Sequence, residues 1–224
     1  MKKIRRIAMA FVMMLFCAPL IHAQDFSKYR TFAFGTSLAG ISKQVELDAS
    51  EVQLIHQQPA LIQMLTWYPS QPFGTSRPEE PIESVLFSFY NGALYRMLVN
   101  YNISAIKGLT DEDMTRVISE KYGTATRPAA VVNFPTNPSY SASEKVIARW
   151  EDSQYSFNLF RSLVSGTFSM VLFEKRLDAQ AGISIAESLK LEQQEAPRME
   201  AARLKKETDD LEAERQKNIK TLRP

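Results

Sequence analysis

A nucleophile, a base or a metal ligand has few sources in this chain. It contains one cysteine, Cys17, and two histidines, His22 and His56. Cys17 and His22 lie in an N-terminal stretch that reads as a removable leader, so His56 is the one imidazole expected in the working protein. Thiol catalysis, disulfide exchange, Cys-ligated zinc and the paired histidines of an HExxH site are then all excluded. His56 could join Ser37 or Ser50 in a Ser–His–acid set, but a lone histidine in Leu54-Ile55-His56-Gln57-Gln58 is more often structural. Gly35-Thr36-Ser37-Leu38-Ala39-Gly40 is not a nucleophile elbow, because its second glycine falls one place late. No phosphate-cradling glycine loop is present. Asp111, Glu112 and Asp113 could hold a hard cation. They lack the glycine and spaced oxygens of a calcium loop and suit a helix N-terminus instead. A carboxylate pair for sugar cleavage is compatible with the composition, and nothing singles one out. No cofactor is implied.

The leader reading rests on charge and hydropathy. Lys2, Lys3, Arg5 and Arg6 precede an almost wholly apolar run, Ile7 to Ile21. That layout is a Sec signal peptide over residues 1–23, cut between Ala23 and Gln24. The run is short for a membrane span, which needs roughly 20 residues. An uncleaved leader anchoring the protein in the inner membrane is the alternative. Cleavage leaves 23 Lys and Arg against 25 Asp and Glu, which turns a formal charge of +2 into −2. A chain so balanced, with no basic cluster among its aromatics, is not expected to bind nucleic acid. The expected location is the periplasm or the medium.

Composition then divides the remainder at about residue 187. Residues 24–186 hold every aromatic left after cleavage, whereas residues 187–224 hold none and carry nine charges of each sign. The body reads as α+β. Thr36 or Ser37 caps a helix in which Leu38, Ile41 and Val45 share a face. Asp48 to Gln57 fits either a short helix or a strand. Ile62 to Trp67 reads as a strand and residues 69–81 as a proline-rich loop. Asn91-Gly92 joins strands Ile82 to Tyr90 and Ala93 to Tyr101, with Tyr95, Met97, Val99 and Tyr101 expected on one face of the second. Thr110 and Asp113 form a capping box for a second helix, which Gly123 ends. Residues 124–143 read mostly as loop, with a short strand at Ala130 to Asn133, and strands follow at Lys145 to Trp150, Tyr155 to Arg161 and Thr167 to Phe173.

This order, helix then three strands, twice, suggests tandem α-β-β-β halves over 32–108 and 109–178, forming an antiparallel sheet with helices on one face. Trp67 and Trp150 each close the first strand of their trio. In element order across 36–175 the chain resembles small secreted bacterial modules such as β-lactamase inhibitor protein and the SmpA/OmlA-type outer-membrane assembly lipoproteins. The segments around Tyr90-Asn91-Gly92 and Gly108 to Met114 are similar to those of other secreted bacterial proteins. The resemblance implies an architecture and brings no site residues with it.

Two surfaces are candidates for contact. Trp67, Tyr95, Tyr101 and Trp150 lie on strands and would form an aromatic face if one side of the sheet were open. The tail reads as a helix, best over 198–222 because Pro197 should break it. Its heptad positions Ala201, Leu204, Thr208, Leu211, Arg215, Asn218 and Leu222 are apolar at four of seven, with Leu204 and Leu211 the strongest. The expectation is a non-enzymatic exported envelope protein that works by protein–protein contact, with another envelope protein or with itself through the tail. The alternatives are a module binding a small ligand or envelope polymer on the aromatic face, and a carboxylate-based hydrolase.

Overall fold

A computed structural model describes residues 24–69, 81–134 and 143–222. The expected leader, Ala23 and most of the expected 69–81 loop lie outside them. The elements in chain order are β1 (Lys28–Tyr29), β2 (Phe32–Ala33), α1 (Leu38–Val45), β3 (Gln53–His56), β4 (Ile62–Trp67), β5 (Ile82–Tyr90), β6 (Ala93–Tyr101), α2 (Asp111–Tyr122), β7 (Val131–Asn133), β8 (Ser143–Glu151), β9 (Tyr155–Arg161), β10 (Phe168–Glu174) and α3 (Lys175–Thr221). Local signals set several of these. Ser37 caps α1 by accepting from the Gly40 amide. Thr110 and Asp113 close the capping box of α2 in both directions. Asn91 and Gly92 both take positive φ, as a two-residue hairpin requires.

Eight strands form one antiparallel sheet in the order β3-β4-β5-β6-β10-β9-β8-β7. The last strand of each half, β6 and β10, pair at the centre, and the earlier strands run outward in sequence. Each half is therefore a helix followed by four strands. Each expected trio is flanked by a short outer strand, β7 where a strand was expected at Ala130 to Asn133 and β3 within the ambiguous Asp48 to Gln57. Asp48 to Gln57, which fitted helix or strand, holds a 3-10 turn at Ala49–Glu51 and then β3.

Both body helices cover the same face. Ile41 and Val45 of α1 and Met114, Ile118 and Tyr122 of α2 join Phe87, Phe89, Met97, Val99, Phe157, Leu159 and Leu172 in the main core. Trp150 is sealed beneath the end of α2, its ring N–H donating to the Gly123 carbonyl at 2.9 Å and the Ser119 hydroxyl at 3.2 Å. The backbone favours glycine at 123. Its φ is +73°, and a Cβ there would also displace the end of the Gln24 side chain.

The opposite face is covered too. Val132 and Phe134 pack on Leu98, Val146, Phe160 and Val171. A polar row, Ser84, Asn100 and Ser169, is hydrogen-bonded across three adjacent strands. The start of α3 covers the rest. A bulge in β6 explains how. Phe89 pairs with Leu94 while Ser88 pairs with Arg96, which leaves Tyr95 unpaired. Leu94 therefore joins the main core, and Tyr95 turns to the other face, against Ile62, Ala181 and Ile185. The strict alternation that would put Tyr95 beside Met97 does not hold.

The tail differs from expectation at its start and at Pro197. α3 begins at Lys175, directly after β10 and well before the composition changes, with Glu174 as its cap accepting from Arg176 and Leu177. It then runs 47 residues through Pro197. That proline removes one amide donor and leaves the Gln193 carbonyl without its helical partner. Every described residue from Leu189 onward is exposed, so water can meet that carbonyl, and the helix continues.

Candidate functional site: the anchored helix

Three contacts fasten the first half of α3 to the sheet. Arg96 is the single cation in the apolar strand β6, and regular alternation with Leu98 and Asn100 sets it on the face that α3 crosses. Its guanidinium meets Asp178 in a two-pronged pair, Nε to Oδ1 at 2.6 Å and Nη2 to Oδ2 at 2.9 Å. Nη1 donates to the Asn133 carbonyl at 2.8 Å, which also ties in β7, and the Phe173 ring lies beneath at 5.5 Å. Burial works against the charge on Arg96, but the Asp178 carboxylate outweighs it and raises the pKa. Beside this pair, burial pushes the Tyr95 hydroxyl up to about 12.

Further along, Ser188 donates to the Gln58 carbonyl and to the Ser184 carbonyl. His56, at the end of edge strand β3, places Nδ1 2.9 Å from Glu192 Oε1. His56 is 8% exposed, and its Nε2 is buried with no hydrogen-bond partner among the described residues. Glu192 marks the last of these contacts. From there to Leu222 the helix projects about 45 Å at 1.5 Å per residue.

The projecting stretch shows Met199, Leu204, Leu211, Ile219 and Leu222 to solvent, with Leu204 51% and Leu211 61% exposed. Its ion pairs are local. Arg203 turns back to Glu200 at 2.7 Å, not on to Glu207, and Arg215 turns to Glu212 at 3.1 Å. In each the acid precedes the base, the order that suits the helix dipole. Arg203 holds the Glu200 carboxyl below its usual range, and Gln216 followed by Arg215 does so for Glu212.

The aromatic candidates do not form a surface. Trp150 is 1% exposed and Tyr95 5%. Trp67 is half-buried and packs edge-on to Phe32. Tyr101 is half-buried too, its hydroxyl bonded to Tyr29, and burial first and Tyr29 second raise its pKa well above the ordinary value. The reason is that both sheet faces are covered. Among the expected contact residues, only Leu204 and Leu211 are free. The chemical candidates are engaged as well. Ser37 caps α1, His56 meets Glu192, and Asp113 caps α2. Asp111 reaches Arg161 at 3.1 Å and Glu112 reaches Arg127 at 3.4 Å. The buried Glu144 accepts from the Leu163 amide with both oxygens. Among the described residues no group of three His, Cys, Asp or Glu side chains could hold a metal, and no helix is long and apolar enough to cross a membrane.

Sequence reasoning missed Arg96, Asp178, Ser188 and Glu192. Arg96 carried a signal, a lone cation inside an apolar strand. Its partner, 82 residues away, carried none. Compared with family models, curated proteins and solved structures, the chain gives no match.

Proposed function

We propose that the protein is exported and acts by protein–protein contact, with the projecting half of α3 as the contacting element and the sheet body as its mount. The observation that carries the reading is the exposed length of α3 beyond Glu192, with Leu204 and Leu211 on its surface, standing on a base fixed by Arg96 and Asp178. A helix needed only to cover the sheet has no use for this length. The basic and apolar leader supports export to the periplasm or beyond, and the likeness in element order to small secreted bacterial modules agrees with it. Burial of Trp67, Tyr95, Tyr101 and Trp150 weighs against the aromatic-face binding module. The structural engagement of Asp111, Glu112, Asp113, Glu144 and Asp178 weighs against a carboxylate hydrolase.

The test is removal of residues 193–224. A cut at 187 would also remove Ser188 and Glu192 from the base. The shortened chain should keep its unfolding midpoint and lose the partner recovered by crosslinking and mass spectrometry in its own envelope. Undiminished recovery of that partner by the shortened chain overturns the reading.

A further inference from the structure

We propose that the projecting half of α3 pairs antiparallel with the same segment of a second copy of this chain, centred between Glu207 and Thr208. The inference rests on the contact reading above and names its partner.

The first observation is the order of charges. Residues 198–206 carry Arg198, Arg203, Lys205 and Lys206 against the single acid Glu200. Residues 207–214 carry Glu207, Asp209, Asp210, Glu212 and Glu214 and no base. Residues 215–223 carry Arg215, Lys217, Lys220 and Arg223 and no acid. A parallel, in-register pair would set each block against itself, five acids against five acids. An antiparallel pair centred at 207/208 sets opposite blocks together. Lys205 then stands level with the partner's Asp210, Lys206 with the partner's Asp209, Arg203 with the partner's Glu212, and Glu200 with the partner's Arg215. Arg198 and the partner's Lys217 are a like-charged exception. In the same register Leu204 stands level with the partner's Leu211. The two leucines are seven residues apart and so share one helix face, with Thr208 between them.

The second observation is exposure, and it is independent of charge. The docked contacts end at Glu192, and every described residue beyond it is exposed. Two copies in this register lie side by side along that exposed stretch. The bodies sit at opposite ends, about 45 Å apart along the helix at 1.5 Å per residue. With only two leucines per copy in the seam, charge carries much of the register, so the pairing should weaken as salt screens it.

The test uses the protein expressed from its full-length sequence. Sedimentation equilibrium should give a dimer at high micromolar concentration that loosens as salt rises from about 0.05 to about 0.5 M. Lys205→Glu with Lys206→Glu should weaken self-association about tenfold or more, and so should Asp209→Lys with Asp210→Lys, because each reverses the charge of a block that lies beside its opposite. An equal mixture of the two variants should recover the dimer. In a Cys17→Ser background, Leu204→Cys and Leu211→Cys should crosslink when mixed and not when oxidised separately. A monomeric wild type, a mixture that fails to recover, or a disulfide formed by Leu204→Cys alone overturns the proposal. A monomer that still needs residues 193–224 to capture a different envelope protein overturns this inference and leaves the contact reading standing. A chain that does neither overturns both.

Discussion

Residues 175–192 of α3 bury Ala181, Ser184, Ile185 and Ser188 against the sheet, whereas from 193 onward every described residue is exposed. One backbone thus serves two physical regimes. In the docked half tertiary packing holds the helix, and its polar groups are matched across long sequence distances, Asp178 to Arg96 and Glu192 to His56. In the projecting half nothing packs, and the helix depends on residue propensity and on short-range pairs such as Glu200 with Arg203. The comparison teaches that the composition shift near residue 187 marks where contact ends, not where a structural element begins. It also separates roles. The docked half fixes a direction, and the projecting half offers a surface.

The largest expected effect tests the base. Asp178→Ala leaves the Arg96 guanidinium largely out of water with the Asn133 carbonyl and the Phe173 ring, and should cost about 3 kcal/mol of stability in urea unfolding. The double change Arg96→Met with Asp178→Leu should recover most of that loss, because it removes the uncompensated charge as well. A cost below about 1 kcal/mol would mean that the docked half is held by its apolar contacts alone.

Alkaline pH tests the same base by another route. Burial raises the Tyr95 hydroxyl from 10.0 to about 12, Arg96 opposing and Asp178 assisting. A group whose folded pKa is raised stabilises fully below its unfolded value and loses that contribution as pH climbs through the folded value. Tyr95 should therefore contribute roughly 2–3 kcal/mol below pH 10 that disappears by about pH 12. Tyr101 and Tyr122, raised mainly by burial, add to the wild-type loss. Urea midpoints compared at both ends of this window should fall less for Tyr95→Phe than for the wild type. Equal falls would show that Tyr95 is not sealed beneath the helix.

Much of this layout is legible in the sequence, and the illegible parts share a cause. The Ile82–Tyr90 and Ala93–Tyr101 hairpin follows from Asn91-Gly92, and the start of α2 from Thr110 and Asp113, because those signals act within a few residues. The bulge at Tyr95 depends on how β6 registers with β5, and no pattern within β6 reports it. That slip moved Tyr95 from the expected aromatic face to the underside of α3. The onset of α3 was hidden for a related reason. The helix follows β10 with no glycine or proline between them, and Glu174 caps it from inside the strand. Pro197 gave a correct local argument that solvent overrides. Leu204 and Leu211 were legible as exposed because their surroundings are uniformly charged, a property of composition alone.

A smaller effect locates the boundary between the two halves. Glu192 is mostly exposed, and its bond to the buried His56 Nδ1 should be worth at most about 1 kcal/mol. Glu192→Ala should speed amide hydrogen exchange around residues 188–195 and leave that around Leu177 to Ile185 unchanged. Faster exchange throughout 177–195 would mean that the docked half opens as one unit with its final contact.

The smallest effect on stability belongs to the projecting half, and its smallness is the point. Leu204→Ala with Leu211→Ala removes two exposed side chains far along the helix from its docked contacts, and alanine is the better helix former. The unfolding midpoint of the body should move by less than about 0.5 kcal/mol. Any contact made by the projecting helix should nonetheless be lost, since these leucines supply most of the apolar area on its shared face. Such a variant separates folding from contact, which no substitution in the docked half can do. A drop in body stability comparable to that of Asp178→Ala would instead mean that Leu204 and Leu211 pack within their own chain, and the division at Glu192 would fail.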